Sequence, residues 1–166
     1  MAALEKLLKH FSREGDEVFI TGANLHVRNG LGETACGSQI DPEPNCANGR
    51  GNLIVGYNEL REESGQNVRT GSHNVVVGPH HHYTRSAGLV VGDQNDLLGD
   101  FSTVIGYASR ADGATSAVLG GQSNAAIGRW STVAGGGGNR VEGLLASDIP
   151  HRAFHFCEYS AIQSLR

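Results

Sequence analysis

Six times in this chain two positions seven apart bracket the same short apolar strand. The brackets are Gly49–Gly56, Gly71–Gly78, Arg85–Gly92, Gly99–Gly106, Gly113–Gly120 and Gly128–Gly135, five of the six with Gly at both ends. The three residues before each closing Gly are mostly apolar: Leu53-Ile54-Val55, Val75-Val76-Val77, Leu89-Val90-Val91, Thr103-Val104-Ile105, Ala117-Val118-Leu119 and Thr132-Val133-Ala134. From Gly78 to Gly120 the closing glycines fall every 14 residues, and the next step is 15. A short fixed period means one coil laid on the next, so the repeat decides the fold class: an all-β, parallel β-roll or β-solenoid of 14-residue coils. It says far less about function.

Composition agrees with a thin-cored solenoid. Gly is 24 of 166 residues, against an ordinary share of about 7%. Aromatics are 6%, too few for a conventional large core, but coils filled by Val, Ile, Leu and Ala need few. The glycines follow no Gly-X-Y triplet and Pro is only 4, which argues against collagen and against a flexible linker.

Fourteen residues allow two short strands and two tight corners per coil. Glycines are expected where a corner needs positive φ or where stacked backbones leave no room for a side chain. A second ladder, Asn95, Ser109, Asn124 and Asn139, is expected at a corner, because Asn tolerates the left-handed region and bonds its own backbone. At about 4.8 Å per coil, about seven coils would make a rod of about 30 Å.

Strand alternation sends the outer two residues of each triplet one way and the middle one the other. The middle residues are Ile54, Val76, Val90, Val104, Val118 and Val133. Both faces are apolar, and only one fills the coil. The middle column is therefore read as an exposed β-branched stripe covered by another subunit, making a homo-oligomer. Cover by the insertions or the C-terminal tail is the alternative.

Around the repeats the chain divides into three. Residues 1–14 are read as a helix with Leu4, Leu8 and Phe11 on one stripe, a stub suited to coiled coil or docking. Residues 15–143 are the roll, with an irregular first coil and polar insertions at 31–48 and 57–70. Residues 144–166 lose the period and are read as a cap or a disordered tail. Cys36 and Cys46 flank a turn-rich loop that either closes as a disulfide or stays as two thiols.

Few residues suggest chemistry. His80, His81 and His82 form one run at a corner, read as a metal-binding or pH-sensing cluster or as a solvated loop. His73 is read as a wall or corner residue and not as a ligand. No Gly-x-Ser-x-Gly elbow, phosphate loop or Cys-x-x-Cys pair occurs, and Gly135 to Gly138 is read as a tight corner. No catalytic residue and no cofactor is assigned. Formal charge is −4, with no basic patch interleaved with aromatics, so nucleic acid is an unsuitable partner. No apolar stretch approaches the roughly 20 residues of a membrane-crossing helix, and Glu5 and Lys6 inside the first apolar run argue against an ordinary signal peptide.

Ser102-Thr103-Val104-Ile105-Gly106, Ser116-Ala117-Val118-Leu119-Gly120 and Ser131-Thr132-Val133-Ala134-Gly135, with the partner halves Leu97-Leu98-Gly99 and Ala111-Asp112-Gly113, resemble the repeat of the YadA-like head of trimeric autotransporter adhesins. The likeness covers 71–143, and more loosely 49–143. It implies a left-handed roll, three chains packed side by side, and a non-enzymatic role in surface adhesion or in a fibre, at the cell surface if the chain belongs to a longer exported one. The implied partners are two further copies and a host-surface or matrix ligand. Val or Ile stands where that family commonly has Ala. A purely structural trimerisation or spacer module is the competing reading.

Overall fold

The computed structural model describes residues 4–5, 8–34, 47–62, 67–144 and 147–148. Those residues form an all-β chain whose body is a parallel β-solenoid of about five coils of about 14 residues.

The chain enters through an antiparallel hairpin, β1 (Phe11–Glu14) and β2 (Glu17–Ile20), paired Phe11 to Ile20 and Glu14 to Glu17. Gly15, at φ 58°, opens its two-residue turn, as Gly does at the first position of a type II′ turn. This corrects two expectations. Phe11 belongs to a strand and not to a helix over 1–14, and residues 15–30 begin with a hairpin arm in place of an irregular coil. Much of that helical segment, 1–3 and 6–7, lies outside the described residues. Leu4, Leu8 and Phe11 are all exposed.

Beyond it the chain winds between two parallel sheets. The first runs β3 (Leu53–Val55), β4 (Val75–Val77), β6 (Leu89–Asp93), β8 (Thr103–Tyr107), β10 (Ala117–Val118), β12 (Thr132–Val133) and β14 (Ser147–Asp148). The second runs β5 (His82–Tyr83), β7 (Asp96–Leu97), β9 (Arg110–Ala111), β11 (Ala125–Ala126) and β13 (Arg140–Val141). Register is strict: Val76 pairs with Val90, Val90 with Val104, Val104 with Val118 and Val118 with Val133. The first sheet thus continues through Ser147 and Asp148, past the expected end of the roll at 143.

That register decides which face is inside. Val76, Val90, Val104, Val118 and Val133 are 0% exposed within the single chain, stacked against Tyr83, Leu97, Ala111, Ala126 and Val141 of the second sheet. Burying each valine contributes roughly 1.5–3 kcal/mol. The middle column is therefore the core, and its assignment to a subunit interface is corrected. Ile54 is 40% exposed because β3 ends its sheet. The residues turned outward are the flanking pairs, such as Leu89 and Val91 or Thr103 and Ile105, all half-buried.

Glycine is required where coils nearly touch. A Cβ at Gly92, φ +114°, would stand 2.0 Å from the Gly106 carbonyl oxygen, and one at Gly113 would stand 2.1 Å from that of Gly128. The 15-residue steps have a local cause. Gly106 stacks on Gly121, and Gly121 on Gly136, while nothing lies within 4 Å of a Cβ at Gly120 or Gly135. Each of those two is an extra residue bulged out of its corner, which leaves the core register intact on either side.

Candidate functional site

Two corner columns of non-glycine residues at positive φ hold the coils. One is His73, Ala87, Phe101, Thr115 and Trp130; the other includes His80, Gln94, Ala108 and Ser123. His73 is thus a corner residue, as expected. Its Nε2 accepts the Asn29 N–H at 3.2 Å and its Nδ1 lies 3.0 Å from the Thr34 carbonyl, tying the entering chain to the first coil.

The residue after each second-corner position is a buried polar one, and these make the expected ladder. Asn95 Oδ1 accepts the Ser109 N–H (2.9 Å), Ser109 Oγ accepts the Asn124 N–H (3.1 Å), and Asn124 Oδ1 accepts the Asn139 N–H (3.0 Å). Each Asn also donates to the carbonyl four residues back: Asn95 to Val91, Asn124 to Gly120, Asn139 to Gly135. The ladder has one member more than the asparagines and serine suggest. His81 occupies the same place one coil earlier, with Nε2 3.0 Å from the Val77 carbonyl and Nδ1 accepting the Asn95 N–H at 3.3 Å. Subtracting 14 from Asn95 was the available signal; the run of three histidines hid it.

The three histidines do not converge. His80 Nδ1 lies 2.8 Å from Asp93 Oδ1 on a half-exposed rim. His81 is fully buried with both ring nitrogens taken by backbone. His82 is 3% exposed, and neither of its ring nitrogens has a hydrogen-bond partner. Asp96 Oδ1 lies 3.7 Å from its Nδ1. Among the described residues no group of three His, Cys, Asp or Glu side chains is set to hold a metal ion. His80, His81 and His82 are accordingly not a ligand set, and the solvated-loop reading fails for His81 and His82. Burial lowers the pKa of both. For His81 the Val77 carbonyl and Asp93 act in the opposite sense, while Arg61 and Arg69 add to the lowering. For His82 Asp96 opposes it, and Arg61 and Arg110 add to it.

The insertion at 57–70 supplies the cover. Strand β5 ends the second sheet, so its backbone has no preceding coil to pair with. The described parts of the insertion, 57–62 and 67–70, take that place. The Glu59 carbonyl accepts the His80 N–H and the Val68 carbonyl accepts the Tyr83 N–H. Arg61 donates through Nε to the His80 carbonyl (2.7 Å) and through Nη2 to the Asn95 carbonyl (3.0 Å) and Asp96 Oδ1 (2.6 Å). Arg69 donates through Nε to the His81 carbonyl (3.1 Å) and through Nη1 to its own loop at the Asn58 carbonyl (2.6 Å). Arg69 thereby satisfies the His81 carbonyl, which a further coil's N–H would otherwise take as the Asn95 carbonyl takes the His82 N–H. Asn58 Nδ2 donates to the Tyr83 hydroxyl (3.1 Å) and closes the cap.

The two outer faces differ in kind. The first sheet shows aliphatic residues outward: Leu53, Val55, Val75 and Leu119 are more than a third exposed, and Val77, Leu89, Val91 and Ile105 are half-buried. The second sheet shows ion pairs, Arg110 with Asp112 and Arg140 with Glu142. A shallow groove of about 280 Å³ is lined by Arg85, Asp100, Asp112 and Arg129 among others. Asp112 is held by Arg110 and Asp100 Oδ1 accepts the Ser86 N–H, which leaves the groove's carboxylates committed. Cys36 and Cys46, and with them the disulfide reading, lie outside the described residues, as does most of the 31–48 insertion.

No family model, curated protein or solved structure matches this chain. Among the described residues no helix is long and apolar enough to cross a membrane.

Proposed function

We propose that this chain is a non-enzymatic solenoid scaffold that associates with copies of itself through the outer face of its first sheet. The observation that carries the reading is the contrast between the two sheets: aliphatic columns outward on one, ion pairs outward on the other. Contiguous apolar faces of this sort are usually covered. The contacting residues would be Val77, Leu89, Val91, Ile105 and Leu119, in place of the buried middle valines. The likeness of the repeat to YadA-like heads supports the finer form, a left-handed roll in a side-by-side trimer serving as a fibre or surface-adhesion head. The spacer reading has its own support: Arg61 and Arg69 spend the insertion at 57–70 on capping a sheet edge, which takes it away from ligand recognition.

Sedimentation equilibrium of the full chain tests this. The expected result is an oligomer, with Ile105→Lys reducing it to the monomer mass while the far-ultraviolet circular dichroism stays unchanged. A wild-type chain that sediments as a monomer at tens of micromolar would remove the reading.

A further inference from the structure

The corner ladder uses a hydrogen-bond acceptor at every rung, and at one rung that acceptor is an imidazole. Asn95, Ser109 and Asn124 offer oxygens that accept at any ordinary pH. His81 offers Nδ1, and its partners fix one tautomer: Nε2–H faces the Val77 carbonyl, and Nδ1 carries the lone pair that receives the Asn95 N–H. An imidazolium has a proton on both nitrogens. Protonation therefore turns this contact from N–H against a lone pair into N–H against N–H, inside a fully buried corner.

We propose that His81 is an acid-labile link, whose protonation parts the first full coil from the second at this corner and frees the cap made by Arg61 and Arg69. The surroundings favour release. Arg61 and Arg69 bind the carbonyls of His80, His81 and Asn95, and both cations oppose the charge that the ring gains. The carboxylates nearby are engaged elsewhere: Asp93 with His80 and Asp96 with Arg61. His82, buried beside it without partners for its ring nitrogens, faces Asp96, Arg61 and Arg110, and its protonation would add to the strain. The direction follows from burial. Burial disfavours the charged form of both rings in the folded chain, whereas in the unfolded chain they take up protons below about 6.5. The corner is at full strength above that pH and weakens as pH falls through and below it. What acid would expose is the backbone edge of β5, an unpaired strand edge open to pairing with another chain.

Hydrogen exchange of the full chain at pH 7.5 and pH 5.0, corrected for the intrinsic pH dependence of exchange, tests the link. Peptides within 79–97 are expected to lose at least tenfold protection at pH 5.0, while those within 102–118 keep theirs. In His81→Asn, which places there the residue type found at Asn95, Asn124 and Asn139, the difference should shrink to the smaller part that His82 contributes. Equal protection at both pH values, or a His81→Asn variant that responds as the wild type does, overturns the proposal. Should that variant not fold, imidazole nitrogen NMR on the wild type decides: His81 must be the Nε2–H tautomer and titrate together with the Asn95 amide shift. The opposite tautomer, or an Asn95 amide indifferent to its titration, would overturn the link equally.

Discussion

Whether a glycine here matters depends on what stands above it in the next coil. At Gly92 the backbone has φ +114° and an added methyl would meet the Gly106 carbonyl oxygen at 2.0 Å. Neither the conformation nor the contact can be relieved without parting two coils. Gly120 belongs to the same apparent series of closing glycines, yet a Cβ there meets nothing within 4 Å. Gly92→Ala should therefore cost about 3 kcal/mol or more, while Gly120→Ala should change stability by less than about 1 kcal/mol. Urea denaturation of the two variants checks this, and equal effects would contradict the bulge. The repeat made the closing column legible, but Gly120 and Gly121 are indistinguishable in sequence; only the stacking of Gly106 on Gly121 says which of them is the spare residue.

Among the elements, the ladder of corner side chains carries register from one coil to the next. Asn124 donates to the Gly120 and Gly136 carbonyls and accepts the Asn139 N–H, all from a buried position. Asn124→Ala takes the partner from the Asn139 N–H and the Asn124 donor from the Gly120 carbonyl, while the Gly136 carbonyl keeps the Gln122 N–H, and should cost about 2–4 kcal/mol. Asn124→Ser should cost less, because Ser109 already serves one rung earlier by accepting the Asn124 N–H. Thermal denaturation ranks the three chains, and an alanine variant as stable as the serine one would show the ladder to be dispensable. The ladder could be read from spacing because Asn and Ser recur in it. Its first rung, His81, stands at the same spacing 14 residues before Asn95, but a His run reads as surface chemistry and masks it. The hairpin at 11–20 is hidden for another reason: Leu4, Leu8 and Phe11 fit a helical stripe that runs into its first strand. A two-residue turn starting with Gly between Phe11 and Val18-Phe19-Ile20 was the competing signal.

For the whole molecule, period fixed the architecture and alternation fixed two apolar faces, but alternation alone is symmetric. Nothing in Thr103-Val104-Ile105 says whether one residue or two point inward. The opposite sheet breaks the tie. Tyr83, Leu97, Ala111, Ala126 and Val141 fill the space facing the middle column, and a coil this thin has room for one inward side chain per strand. The proposed self-association then uses the wider face with two residues per coil. The most direct test of this arrangement is the paired stability of Val104→Lys and Ile105→Lys, followed by far-ultraviolet circular dichroism on heating. A lysine at Val104 places an unpaired charge in a core that is 0% exposed and should leave no cooperative transition. A lysine at Ile105 has solvent to reach and should keep the β-sheet spectrum and a cooperative transition. A folded Val104→Lys beside an unfolded Ile105→Lys would mean that the coils are turned inside out relative to this account.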